Sequence, residues 1–154
     1  MIKDVIIKKL NKFKDERGWL IEVFRNDELK DQLKPQMSYI SMTKPGVVRG
    51  PHEHEAQTDL FVFIGPGEFE LYLWDNRKDS PSYGEAFKEI FGQNNMASVV
   101  VPPGVVHGYK NVSDKEAWCL NYPNKLYAGT GKKAKVDEIR HEEDKDSKFK
   151  IPLT

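Results

Sequence analysis

The sequence predicts an all-β fold of the jelly-roll kind, and three observations carry that expectation. Short apolar or alternating runs recur at about ten-residue spacing. Glycine and proline punctuate them. Long amphipathic helical patterns are scarce. Many short strands divided in this way belong to a sandwich or a barrel, and a jelly roll suits their number best.

The elements follow in order. DVIIKKLNKF, residues 4–13, is β-branched and partly alternating and reads as a strand. KDERG turns the chain. WLIEVFRND returns as a second strand, with Leu20, Glu22 and Phe24 on one face and Trp19, Ile21 and Val23 on the other. DELKDQLKP reads as a short helical turn stopped at Pro35. MSYISMT is a strand, and KPGVVRG is a turn leading into another. TDLFVFIG and GEFELYLWD flank Pro66 and Gly67 as a hairpin. NRKDSPSYGEAFKEIFGQNN is a polar loop with a short strand, MASVVVPPGVVHGYKNVS is strand, turn, strand, and AWCLNYP is the last clear strand. From Asn124 the chain is rich in Lys, Asp and Glu and weakly patterned, a short charged C-terminal tail expected to wrap the surface or add one short helix. Residues 1–154 are read as a single domain.

The composition narrows the function classes. A hydrophobic share of 38% and a charged share of 31% are ordinary for a soluble globular protein. The 24 basic and 24 acidic residues balance, which argues against nucleic acid or an anionic membrane as the main partner. No apolar run approaches the roughly 20 residues of a spanning helix, and MIKDVIIKKLNKFKDERG has no apolar core of signal-peptide length. Cys119 is the only cysteine, so no internal disulfide can form, and a reducing cytoplasm is the expected compartment. Cys119 lies mid-strand and is expected in the core.

Of the four histidines, His52 and His54 lie two apart on an extended segment, so both project from one face. Asp59 opens the next apolar run. His107 follows the turn of PPGVVHGYKN. If the strands are neighbours, His107 faces the same hollow as His52 and His54. Such a cluster serves either as a metal site of imidazole and carboxylate ligands or as an acid–base centre near neutral pH. Set against this, HEHE also fits a wet loop, and His141 in RHEEDKD is expected to be solvated. Trp74, Trp118, Tyr72 and Phe69 are expected to fill the barrel, and Trp19 and Tyr39 to contact a base or sugar. GTGKKAK lacks the spacing of a phosphate loop.

HEHEAQTD and PPGVVHGYKN resemble the two signature motifs of the cupin superfamily, a jelly-roll barrel. His52, His54, Asp59 and Gly65 fit the first motif, with aspartate in place of the usual glutamate. Pro102, Gly104, His107 and Asn111 fit the second. A narrower resemblance covers nearly the whole chain. DERGWLIEVF, GVVRGPHEH, LYLWDNRKDSPSYGE, VPPGVVHGYKNVSDKEA and NKLYAG are similar, in order, to the dTDP-4-dehydrorhamnose 3,5-epimerase family, especially its short members. That resemblance implies a dimeric cupin acting on a nucleotide-linked 4-keto-6-deoxy sugar in deoxysugar and polysaccharide biosynthesis. It needs no cofactor, because the substrate ketone is the electron sink. It places the base on His52, a diphosphate contact on Arg49, sugar-pocket contacts on His107 and Tyr127, and nucleotide contacts, partly across the dimer, on Arg17 and Glu22. Dimerisation is also expected from an exposed N-terminal strand that invites sheet extension.

The sequence departs from the family at three points. Asp59 stands where a lysine faces the developing oxyanion. Asn121 stands where the family places its acid tyrosine, with Tyr122 one residue away as the replacement expected here. The C-terminal aspartate that steadies the base has no evident counterpart. Other readings stay open. Arg49, Gly50, His52 and His54 also match the Arg-Gly-x-His-x-His of sugar 3,4-ketoisomerases, which gives His54 a second-base role. A metal-binding cupin, an isomerase or a dioxygenase, would use His52, His54, Asp59 and His107. A non-catalytic sugar-nucleotide binder is the third.

Overall fold

The structure, a computed structural model, describes residues 1–153. Among these, twelve strands form: β1 (Ile6–Lys9), β2 (Lys12–Asp15), β3 (Gly18–Ile21), β4 (Tyr39–Thr43), β5 (Val48–Glu53), β6 (Asp59–Phe63), β7 (Glu68–Asp75), β8 (Ala86–Gly92), β9 (Ala97–Val101), β10 (Val105–Asn111), β11 (Ala117–Asn121) and β12 (Ile139–Arg140). One sheet has the order β1-β9-β6-β11-β4 and the other the order β12-β5-β10-β7-β8, while β2 and β3 form a separate hairpin. The strands pair antiparallel throughout. This is the expected all-β jelly roll.

The apolar patterns explain which strands are central. Every residue of β6 and of β9 is buried, as is every residue of β10. A strand covered on both faces reads as a continuous apolar run rather than an alternation. β7 alternates more clearly and sends Phe69, Leu71 and Leu73 inward. They join Phe61, Phe63, Phe91, Val99, Val101 and Val105 in one core between the sheets. Phe63 lies flat against Phe91, with centroids 5.9 Å apart and planes 17° apart.

Several expectations are corrected. The first long run divides at Leu10 and Asn11 into β1, which joins the core sheet, and β2, which does not. The second run ends as a strand at Ile21, because its partner β2 begins at Lys12, the residue paired with Ile21. Trp118 is 42% exposed, since strand alternation turns the buried Cys119 inward and its neighbour out.

The charged tail does more than wrap the surface. It makes single 3-10 turns at Thr130–Lys132 and His141–Glu143, and between them β12 joins β5. Phe149 and Ile151 are buried, with Phe149 against Trp74 at 5.7 Å. His141 is not solvated: its Nε2 lies 2.8 Å from Glu53 Oε1 and its ring packs on Phe149. Among the described residues no helix is long and apolar enough to cross a membrane.

Candidate active site

The site begins where β5 crosses β10. His107 stands opposite His52, and Tyr109 opposite Arg49, so Gly50 and Pro51 together face the single residue Gly108. This is a β-bulge. Gly50 has φ +79°, and a Cβ on it would meet His107 O at 2.8 Å; a Cβ on Gly108 would meet Arg49 O at 2.7 Å. Only glycines allow the two backbones to come this close. The crossing brings the imidazoles together. Ring centroids are 4.4 Å apart for His52 and His107, 5.5 Å for His52 and His54, and 5.6 Å for His54 and His107. Asp59, from β6 in the opposite sheet, completes a group whose ligand-capable atoms all lie within 4.8 Å of one another.

Each member has a distinct electrostatic state. Asp59 Oδ2 lies 3.0 Å from His54 Nε2, and its Oδ1 accepts from Asn121 Nδ2 at 2.9 Å and Gln57 Nε2 at 3.0 Å. Burial alone would raise the Asp59 pKa, but His107 and His54 outweigh it and hold the carboxyl well below the usual carboxylate range. His54 also bonds through Nδ1 to the carbonyl of Asp137. With both nitrogens facing acceptors it reads as imidazolium, and its pKa is raised: burial opposes the charge, and Asp59 and Asp137 more than compensate. His107 donates from Nδ1 to Val105 O at 3.0 Å. Its Nε2 is 3.2 Å from Asp59 Oδ2 but without hydrogen-bond geometry. His52 is pushed down to about 2, first by burial and then by the positive charge His107 and His54 can carry. It is therefore a neutral imidazole with a free lone pair.

His52 lines a cavity of about 1260 Å³, larger than the roughly 300–1,000 Å³ of common small-molecule sites. Tyr39, Arg49, Tyr127 and Glu138 share its wall. Arg49 is held by Nε to Thr43 Oγ1 at 2.9 Å and by one Nη to Met42 O at 2.8 Å. The tail closes one side. The Asp137 carboxylate accepts from the backbone N–H groups of Glu55, Ala56 and Gln57 at 2.7, 2.9 and 2.8 Å. The next residue, Glu138, puts Oε1 3.9 Å from His52 Nε2. Glu138 is thus the carboxylate from the tail that faces His52.

A neutral imidazole, a fixed guanidinium and a facing carboxylate share one cavity. The sequence profile of dTDP-4-dehydrorhamnose 3,5-epimerase matches residues 1–142. The chain belongs to the dTDP-4-dehydrorhamnose 3,5-epimerase family. A probable low-salt glycan biosynthesis epimerase of Haloferax volcanii is 41% identical over 127 residues, covering 82% of this chain and 81% of that protein. The spore coat polysaccharide biosynthesis protein SpsL of Bacillus subtilis is 39% identical over 127 residues, covering 82% and 83%. In fold, a dTDP sugar isomerase from Desulfovibrio desulfuricans G20 superposes with TM-score 0.81 at 22% identity, over 97% of this chain and 91% of the other.

Within this family frame the remaining site residues divide. Arg49, His52 and Tyr127 lie together at the cavity. Asp59 and His107, each 1% exposed, lie beneath the wall rather than on it, because their side chains point inward from fully buried strands. His54, offered as a second base, has both ring nitrogens engaged, Nε2 by Asp59 and Nδ1 by the Asp137 carbonyl. Tyr122 is not at the cavity; its ring packs on Phe24 at 5.1 Å, and the inward position at the end of β11 belongs to Asn121. Arg17 and Glu22 lie at and after the β2–β3 hairpin, paired with Asp15 and Arg25, and line no part of this cavity. RKDSPSYG folds as a polar knot in which Asp75 accepts from Arg77, Ser80 and Ser82. Sequence reasoning missed Asp137 and Glu138, whose only signal was the brief extended pattern of KVDEIR in a charged tail.

These states set the acid response. The unfolded His52 binds a proton below about pH 6.5, whereas the folded one stays neutral to about 2. The unfolded chain therefore holds more protons in that window, and stability falls as pH falls, by up to about 1.4 kcal/mol per pH unit for one such site. Asp59 joins only below about pH 4. Thermal melts between pH 6.5 and 4.5 should show a falling midpoint, and His52→Asn should flatten that slope; an unchanged slope would contradict the assignment.

Proposed function

We propose that this chain epimerises a dTDP-linked 4-keto-6-deoxyhexose for a glycan or polysaccharide. It does so by taking and returning a proton on carbon beside the ketone. The observation that carries the reading is the neutral His52 imidazole on the wall of a nucleotide-sugar-sized cavity, beside the fixed guanidinium of Arg49. The ketone acidifies the neighbouring C–H groups. His52 takes a proton on its lone pair, the C–H electron pair becomes the enolate double bond, and the carbonyl pair moves to oxygen. Glu138 faces the positive charge that forms on His52. Arg49 meets the diphosphate with a forked donor set. Tyr127 adds an aromatic face at the exposed end of the cavity.

We read the chain as one domain that works as a cytoplasmic homodimer. The β2–β3 hairpin stands apart from both sheets and exposes Phe13, Trp19 and Leu20. Such a patch suits a second copy, and pairing there would carry Arg17 and Glu22 toward the partner's nucleotide. Light scattering should give twice the chain mass, and a monomer at micromolar concentration would refute this.

A metal reading has its own support. His52, His54, Asp59 and His107 offer three nitrogens and one oxygen within 4.8 Å, and His107 Nε2 is buried without a hydrogen-bond partner among the described residues. The Nδ1 bond to Val105 O would fix His107 as an Nε2 ligand. A bound divalent ion there would supply Lewis-acid polarisation of a substrate oxygen. These residues would then be ligands and His52 would not be a base.

Two measurements separate the readings. Protein purified without chelator is expected to carry metal well below one equivalent by elemental analysis; a full equivalent removable only with loss of activity supports the metal reading. With a dTDP-4-keto-6-deoxyhexose in heavy water, NMR should show deuterium entering beside the ketone. His52→Gln should slow that entry by about 10²–10⁴-fold, and an unchanged rate would reject His52 as the base.

A further inference from the structure

We infer that Tyr39 is the proton donor on the face of the sugar opposite His52, and that Asn121 is the positioning residue that aims it. The inference rests on the epimerase reading. Epimerisation needs a second group, because a proton returned by His52 to the face it left restores the starting configuration. His52 stands on β5, in the sheet β12-β5-β10-β7-β8, and Tyr39 stands on β4, in the sheet packed against it. Both line the same cavity. They therefore approach a bound ring from two sides.

The hydrogen bonds around Tyr39 fix its proton. Asn121 pairs with Tyr39 across the β11–β4 ladder. Its amide meets Asp59 Oδ1 at 2.9 Å and Tyr39 Oη at 2.8 Å, both through Nδ2. The Asp59 carboxylate can only accept, so the NH₂ end of the amide must face it. The other amide hydrogen is then donated to the phenol oxygen. Tyr39 accepts this bond and keeps its own hydrogen for the cavity. Burial and the Asp59 charge raise the phenol to about 12, against the Asn121 bond, so it is protonated at neutral pH. The same amide hydrogen steadies the phenolate left when the proton departs.

The other cavity phenols are worse placed. Tyr109 belongs to β10, in the His52 sheet, is buried, and shares a hydrogen bond with Ser41 Oγ at 3.1 Å. Tyr127 is half exposed like Tyr39, but it lies on the loop past β11 and, among the described residues, no hydrogen bond aims its phenol. In the step itself the enolate double bond supplies the pair for the new C–H bond, and the carbonyl re-forms. The O–H bond of Tyr39 breaks and leaves its pair on the phenolate. Water then reprotonates the phenolate and takes the proton from His52.

The test scores deuterium entry and inversion separately, by NMR on a dTDP-4-keto-6-deoxyhexose in heavy water. Tyr39→Phe is expected to lose inversion by about 10²–10⁴-fold while deuterium still enters with retained configuration, and to melt like the parent protein. Asn121→Ala should reproduce that split in weaker form. Tyr39→Phe inverting at the parent rate overturns the inference and leaves the epimerase reading standing. Equal loss of exchange and inversion in Tyr39→Phe overturns it too, as does loss of inversion in Tyr127→Phe with Tyr39→Phe intact. A parent protein that neither exchanges nor inverts any dTDP-4-keto sugar removes the epimerase reading itself, and the inference with it.

Discussion

The site depends on one buried carboxylate. Asp59 is closed off from water between the sheets, where an unpaired charge costs several kcal/mol. It persists because it is answered on several sides: by ring nitrogens of His54 and His107 at 3.0 and 3.2 Å, and by amide hydrogens of Asn121 and Gln57. The dependence runs both ways. With Asp59 charged, His54 is held as a cation. Burial first, and then the positive charge that the neighbouring imidazoles can carry, keep His52 neutral. The state of the imidazole on the cavity wall is thus coupled to a carboxylate one layer beneath it.

The fold turns this into two-sided chemistry. A jelly roll packs two sheets face to face, and a cavity at its mouth has walls from both. Asp59 comes from one sheet and the histidines from the other, so the ion pair also ties the walls together. The bulge at Gly50 and Pro51 re-aims β5 locally. Without that extra residue the strand would pair in simple register with β10, and the spacing between Arg49 and His52 would change.

Much of this was legible in the sequence, for physical reasons. The two-residue spacing of His52 and His54 on extended backbone and the turn before His107 foretold that the three imidazoles converge. The strand pattern foretold the jelly roll. Depth was not legible. Asp59 and His107 look like any strand residues until the neighbouring strands cover them. At the end of β11 the family's tyrosine position falls on Asn121, which alternation turns inward, while the neighbouring Tyr122 packs on Phe24. Tyr39 was noted as a sugar contact, but its bond to Asn121 depends on a β4–β11 pairing between residues 82 apart in sequence. The tail was misread because its many charges masked two sparse apolar anchors, Phe149 and Ile151.

The strap formed by Asp137 bears on how the molecule comes into being. The loop it clasps lies 82 residues earlier, and Glu138, which faces His52, is its immediate neighbour. A nascent chain that has already folded β5 through β11 around its histidines still lacks one wall of the pocket. A chain cut before Asp137 would leave the Glu55–Gln57 corner untied and the pocket without the Glu138 wall.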